Sequence, residues 1–354
     1  MSTRMDVQTL WRGARVRAAV PIGGVAVFAL LAAGFFQFNG YAPLDVFVQI
    51  VQGAFGSALA VNTTLSKTLP ILLCALATAL PARMGLISVG AEGQLYFGAL
   101  AGTAAVLQLP TAPMAELLPA ALVLTALGGA VWGALPGLLR AVLGVNETIV
   151  TILMNYLGIQ LVEYAVYGPW KDAANLGWPA TIAFPAAARF PRLAMGGLSS
   201  NWALVLALLL ALALHLLVQR SRWGTALALL RSNPRVARMA GLSHARHAVA
   251  VMALAGAMAG LAGYVQTANV QHHLQPDISS GYGYVGFLVA WLAGQNFLRI
   301  IPLALVMGGL LSAADALQLF AQLPFANTVV LQALLFISVL GVGAWRARRA
   351  GEAA

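Results

Sequence analysis

Ten apolar runs leave this chain few choices of fold. They lie at about 20–36, 65–80, 88–108, 115–139, 147–167, 201–219, 248–269, 284–298, 300–320 and 327–344, each near the roughly 20 residues that carry a helix across a bilayer. In hydrocarbon every backbone N–H and C=O must find its partner inside the protein, so such runs become helices. Of the 354 residues 60% are hydrophobic and 8% charged, against roughly 25% charged in soluble domains. That balance excludes a soluble enzyme and predicts an all-α polytopic membrane protein, residues 1–354 as one domain, with about ten transmembrane helices.

The placement of charge orients those helices. The formal net charge is +10, but the arginines cluster between apolar runs and not on one face, which is a topological signature and not a nucleic-acid footprint. With the N-terminus inside, Arg4, Arg12, Arg15, Arg17, Arg83, Arg140, the six arginines of 220–247, Arg299, Arg346, Arg348 and Arg349 are cytoplasmic, sixteen of the twenty Lys plus Arg. Lys67, Lys171, Arg189 and Arg192 are left outside. The expected layout is a cytoplasmic N-terminus at 1–19, six spans over 20–219, a cytoplasmic loop at 220–247, four spans over 248–344 and a cytoplasmic tail at 345–354. A cleaved signal peptide is the competing reading of the first span; without a small-x-small site followed by a soluble domain, the span is read as uncleaved. Residues 39–62, with Pro43, Asp45 and two glutamines, are expected outside the bilayer, as is the long segment 168–200, whose Trp170 and Trp178 read as interfacial anchors. Cys74 reads as a buried small hydrophobe.

The loop at 220–247 holds its own signal. Asn233 followed by Pro234 is a helix start, because Asn supplies a cap oxygen and Pro lacks only an N–H that would have no partner there. Gly241 is a stop. A helix of about two turns is too short to stand alone in water, so it is expected to dock on something through Val236, Met239 and Ala240.

Polar residues at membrane depth are costly unless paired or facing a water-filled path. Glu92 and Gln94 lie in a glycine-punctuated segment where backbone can leave regular helix. Asn146 and Glu147 open a span, and read equally well as an N-cap with a first-turn acid. Asn155 and Tyr156 follow two turns on, and Gln266, Asn269 and Gln271 end a later span. Asp315 with Gln318 is a weaker candidate. Gly129, Gly133 and Gly137, like Gly256 and Gly260, have the spacing that lets helices approach closely. Catalytic and metal signatures are absent from the sequence: Lys67 and Lys171 follow Ser66 and Trp170, so there is no Gly-Lys-Ser/Thr phosphate loop, and neither a metal-spaced His cluster nor a nucleophile motif occurs.

Three stretches carry a resemblance. Gly85-Leu86-Ile87-Ser88-Val89-Gly90-Ala91-Glu92-Gly93-Gln94 resembles the G-L-x-N-I-G-x-E-G-Q signature of ABC importer permeases in the nucleoside and simple-sugar branch, within the branched-chain amino acid/ribose-type superfamily. Gly133 to Arg140, then Gly144-Val145-Asn146-Glu147-Thr148 to Asn155-Tyr156, is similar to that family's second motif, and Ser232 to Leu242 to its x-N-P-x-A-A-x-Y-A-G-I stretch. Ser88 and Met239 depart from the usual Asn and Tyr or Lys. The resemblance implies an inverted repeat, with Gly90-x-x-Gly93 and Gly283-x-x-Gly286 opening equivalent spans, and a multi-pass place in a bacterial inner membrane. It also implies partners: a second permease as heterodimer, a cytoplasmic ATPase that holds ATP and Mg, and an extracytoplasmic substrate-binding lipoprotein, with no cofactor on this chain. Asn233, Pro234, Arg235, Arg238, Ala240 and Gly241 would form the coupling helix to the ATPase. Glu92, Gln94, Asn146, Glu147, Asn155, Tyr156, Gln266 and Asn269 are the candidates for the path of a nucleoside, preferably a purine nucleoside. A pentose sugar is the alternative, and an ion-coupled secondary carrier a further one.

Overall fold

Each of the ten apolar runs carries a helix in the computed structural model of the protein, which describes residues 7–174, 177–195, 198–320, 324 and 326–352. The basic residue Arg4 and the last two residues of the expected tail lie outside the described residues. The helices are α1 (Val7–Phe38), α2 (Pro43–Phe55), α3 (Ala58–Ala82), α4 (Ala91–Gln108), α5 (Met114–Leu143), α6 (Glu147–Tyr167), α7 (Trp202–Arg220), α8 (Arg222–Ser232), α9 (Pro234–Met239), α10 (His244–Val265), α11 (Tyr282–Leu292), α12 (Phe297–Phe320) and α13 (Ala326–Glu352). The segment expected outside at 168–200 is irregular, with one 3-10 turn at Ala186–Ala188 and an antiparallel hairpin of β1 (Arg192–Met195) and β2 (Leu198–Asn201), Arg192 opposite Asn201.

The full count of ten spans is not met by full-length helices. Among the described residues α3, α5, α6, α7, α10, α12 and α13 are long and apolar enough to cross a bilayer, and the bent pair Gly23–Phe38 with Pro43–Phe55 gives an eighth. The run at 284–298 is the clearest difference: α11 has only 11 residues, about 16 Å at 1.5 Å per residue, roughly half the hydrocarbon thickness. It ends where Gly294 and Gln295 both take positive φ, 60° and 61°, which stops the helix before α12 starts.

The chain divides into two compact units, residues 1–60 with 309–354, and residues 61–308. In the first, the segment 39–62, expected outside the bilayer, carries α2, which is bent by 115° from Gly23–Phe38. Gly40, at φ 81°, makes that turn. Ala32, Phe36, Val46, Leu310, Leu317 and Leu331 form its core, with Phe36 edge-on to Phe35 and Phe47.

The second unit is built around α3, buried without interruption from Thr68 to Ala82. Beside it α4, α5 and α10 pack backbone to backbone. A Cβ at Gly129 or Gly133 would strike the Gly256 backbone, one at Gly256 would strike Gly129, and one at Gly98 would strike Gly260. The glycine spacing in the sequence therefore does what close helix approach requires.

Gly256→Val is expected to destabilise the purified protein by about 3 kcal/mol, as overpacking against backbone does. Gly341→Ala, with open space around it, is expected to be neutral or to stabilise by about 0.5–1 kcal/mol. Thermal unfolding of both variants in detergent measures the contrast.

Candidate functional site

Between α3 and α4 the backbone from Leu86 to Gly90 is not helical, although it runs between helices of the second unit. The N–H and C=O groups of Ile87 and Val89 are taken up by one face of α6, while Leu86 N–H goes to the Pro81 carbonyl and the Gly90 carbonyl to Gln94 N–H. The Glu147 carboxylate accepts from Ile87 N–H (3.2 Å) and Thr148 Oγ donates to the Ile87 carbonyl (2.9 Å). Thr151 Oγ accepts from Val89 N–H (3.2 Å), Asn155 Nδ2 donates to the Val89 carbonyl (2.9 Å), and Asn155 Oδ1 accepts from Gly93 N–H (2.8 Å). Positions 147, 148, 151 and 155 share a helix face by the i, i+4 rule, so a polar stripe on α6 stands in for a neighbouring strand. Thr151 and Asn155 have no exposed surface. Glycines permit the close approach: a Cβ at Gly93 would lie 2.7 Å from Asn155 Cα, and one at Gly158 would lie 2.8 Å from the Gly93 carbonyl.

Glu92 faces the other way. Buried to 3% exposure, its carboxylate accepts from Gly283 N–H at 2.6 Å, in the first turn of α11. The N-terminus of a helix carries partial positive charge and free N–H groups, so the half-length helix supplies the compensation that a cation would otherwise give. Ser279 Oγ accepts the N–H groups of Gly281 (3.1 Å) and Tyr282 (3.0 Å), which completes the cap. The Tyr284 hydroxyl lies 3.4 Å from Asn155 Nδ2. Asn155 thus touches the broken segment and α11 together.

At the end of the unit rich in arginine, α8, α9 and the start of α10 form a helical hairpin. Asn233 Oδ1 accepts from Val236 N–H (3.2 Å), Pro234 is the first residue of α9, and Gly241 at φ 76° ends it with Leu242 N–H on the Ala237 carbonyl (3.0 Å). The predicted start and stop are both present. Within this chain only Ala237 of α9 is buried, while Val236 is 45% and Met239 88% exposed, so the apolar side is not docked on the chain itself. Ala240, Arg235 and Arg238 are exposed too. The hairpin is held through Arg231 of α8, which donates to the Ala82 carbonyl (3.2 Å) and to Gln295 Oε1 (3.4 Å). Arg83 also donates to the Gln295 carbonyl.

At the opposite end of α10 the helix loosens into a π-helical turn, Gln266–Gln271. Asn269 Oδ1 accepts from Phe190 N–H (3.0 Å), and the Tyr264 hydroxyl donates to the Ala188 carbonyl (2.6 Å). These bonds fasten the segment 181–190.

Of the candidate path residues, Glu92, Glu147 and Asn155 meet around one break in the backbone. Asn146 caps α6, accepting from Thr148 and Ile149 N–H, and Glu147 also pairs with Arg140. Gln94 and Gln266 are buried, whereas Tyr156 is 63% exposed on the far side of α6. Asn269 belongs to the other end, and Asp315 and Gln318 to the other unit, half-buried and exposed respectively. The sequence reading gave no site role to Thr151, Ser279 or Gln295, and named Thr148 and Arg231 only as part of a motif and of the basic loop. The spacing 147, 148, 151, 155 was the available signal.

Residues 60–340 match the family described as branched-chain amino acid transport system / permease component. Similar proteins include the glucose ABC transporter permease protein of Haloferax volcanii, 28% identical with 96% of this chain and 88% of that protein covered. The guanosine ABC transporter permease protein of Bacillus subtilis is 28% identical over 89% of this chain and 91% of its own length. The nucleoside ABC transporter permease protein of Lactococcus lactis is 27% identical over 90% of each.

Asn155→Leu leaves the Val89 carbonyl and Gly93 N–H without partners, and is expected to lower stability by about 3 kcal/mol. Tyr156→Phe, one residue on, is expected to change it by less than about 0.5 kcal/mol. Thermal unfolding in detergent, compared with amide exchange at 87–93, separates the two.

Proposed function

The chain belongs to the branched-chain amino acid transport system permease family, and from that premise we propose that it forms the membrane path of an ATP-driven importer for a nucleoside, with purine nucleosides preferred. The observation that carries the reading is the exposed, capped helix α9, which offers Val236 and Met239 to a partner at the end of the unit that Arg231 ties to α3 and to the α11–α12 turn. A separate cytoplasmic ATPase would receive α9, with Arg235 and Arg238 flanking the contact; ATP and Mg would be held there. A second, non-identical permease would complete the path, an extracytoplasmic binding lipoprotein would deliver the solute, and both termini would be cytoplasmic in a bacterial inner membrane.

The solute reading rests on two relatives named for nucleoside or guanosine. The relative named for glucose favours a simple sugar as the second reading. Few charges and buried amides suit a neutral polar solute, whose hydroxyls and ring nitrogens need donors and acceptors but no counter-ion. Gln94 and Gln266, buried in this chain, and the exposed Tyr156 remain candidates for the path. Glu92, Glu147 and Asn155 hold the frame. Coupling follows from differential affinity: ATP bias on α9 shifts the inward and outward states only as far as the ATPase binds them unequally.

Uptake of labelled guanosine, uridine, ribose and glucose by cells with and without this chain tests the solute. Dependence of guanosine uptake on the chain supports the reading, and dependence of glucose or ribose uptake alone overturns it. In the assembled complex Gly241→Val or Arg235→Glu is expected to lower transport per ATP hydrolysed at least about tenfold. Unchanged stoichiometry would remove α9 from coupling.

A further inference from the structure

Beside α8 the second unit has an open cleft of about 480 Å³, lined by Arg83, Val218 and Gly224 at its base and by the exposed Gln219, Arg231 and Ser232 at its rim. Two guanidiniums face it and no carboxylate pairs with either among the described residues. Arg83 spends one nitrogen on the Gln295 carbonyl and stacks over the Phe297 ring at 5.2 Å. Arg231 uses one on the Ala82 carbonyl and the Gln295 side chain. Arg83 Nε is buried with no hydrogen-bond partner. Burial, and then the Arg231 charge, push the Arg83 pKa down from its ordinary value, so the two like charges oppose each other across the cleft. A buried donor left unmade and two unneutralised cations describe half of a site.

The missing half is anionic, and its surroundings say where it comes from. Val218 and Gln219 lie in the last turn of α7, and Leu209, Leu212, Leu216 and Leu217 before them are 39–58% exposed on a helix of membrane-crossing length and hydropathy. Gly224 brings α8 against the Val218 backbone, where a Cβ would not fit, so cleft and leucine face adjoin. Arginine forks match phosphate oxygens, and basic pockets at helix ends hold lipid headgroups. We propose that this cleft binds the phosphodiester of an anionic phospholipid, with Arg83 and Arg231 on the phosphate and the acyl chains along α7. This requires only a membrane-embedded chain, and no particular solute.

Full-length protein in neutral detergent, titrated with phosphatidylglycerol, phosphatidylcholine or inorganic phosphate, tests it by native mass spectrometry and thermal unfolding. Phosphatidylglycerol should remain bound and stabilise, and phosphatidylcholine should do so less. R231Q should weaken binding about fivefold and R83Q/R231Q about thirtyfold, while R220Q/R222Q, whose arginines do not line the cleft, should not. If the double variant fails to fold, A228E puts a carboxylate into the same cleft without removing a bond, and should expel the lipid. Equal stabilisation by inorganic phosphate, wild-type affinity in A228E, or loss of the lipid when a partner ATPase is added would each overturn the assignment.

Discussion

The need to pair backbone groups away from water organises the second unit. A helix satisfies itself; the chain between α3 and α4 does not, because Leu86 to Gly90 leaves helical geometry. Each unpaired group in such a place costs several kcal/mol. The stripe of Glu147, Thr148, Thr151 and Asn155 answers that need bond by bond. It also explains why a carboxylate and an amide sit at depth without a cation or metal beside the amide. Arg140 meets Glu147 at the helix start, and from there inward the partners are neutral.

Glu92 extends the same logic to α11. A helix of 11 residues cannot span the hydrocarbon, so one of its ends must finish inside the protein. Three of its leading N–H groups go to Ser279 and Glu92. The charge of the carboxylate and the dipole of the short helix are each unfavourable alone in a low-dielectric interior and compensate when placed together. At its other end the Gly294–Gln295 turn is gripped by Arg83 and Arg231. α11 is thereby tied to the broken segment at one end and to the arginine-rich hairpin at the other.

Much of this was legible in the sequence. All ten apolar runs carry helices, the glycine spacing of α5 and α10 marks their contact, and Asn233-Pro234 with Gly241 bounds α9. The rest depended on facts that local pattern does not contain. The apolar run at 284–298 reads as continuous because Gly294-Gln295-Asn296 is short, and only tertiary contacts hold Gln295 at positive φ. Asp45 and two glutamines hid the packing of α2 within 39–62, where Val46 and Ala54 are buried. Helical period gave α9 an apolar side but could not say whether that side is covered within this chain; Met239 shows that it is not. For Glu92 the sequence showed a costly residue and left its partner 191 positions away unseen.

Where the second unit is stiff and where it can bend follow from the same contacts. α4, α5 and α10 meet through glycines with no side chain between them, and close-packed interiors transmit displacement instead of absorbing it. Residues with positive φ stand instead at Gly281, before α11, and at Gly294 and Gln295, after it, with His272 ending the π-helical turn of α10. Non-glycine residues held in that region persist only when their surroundings over-determine them. For Gln295 the surroundings are two arginines, one of them on α8. Arg231 thus joins α8 both to the end of α3 and to the turn after α11, whose first turn holds Glu92 through Gly283. The rigid glycine-packed helices supply the frame against which that short helix is positioned.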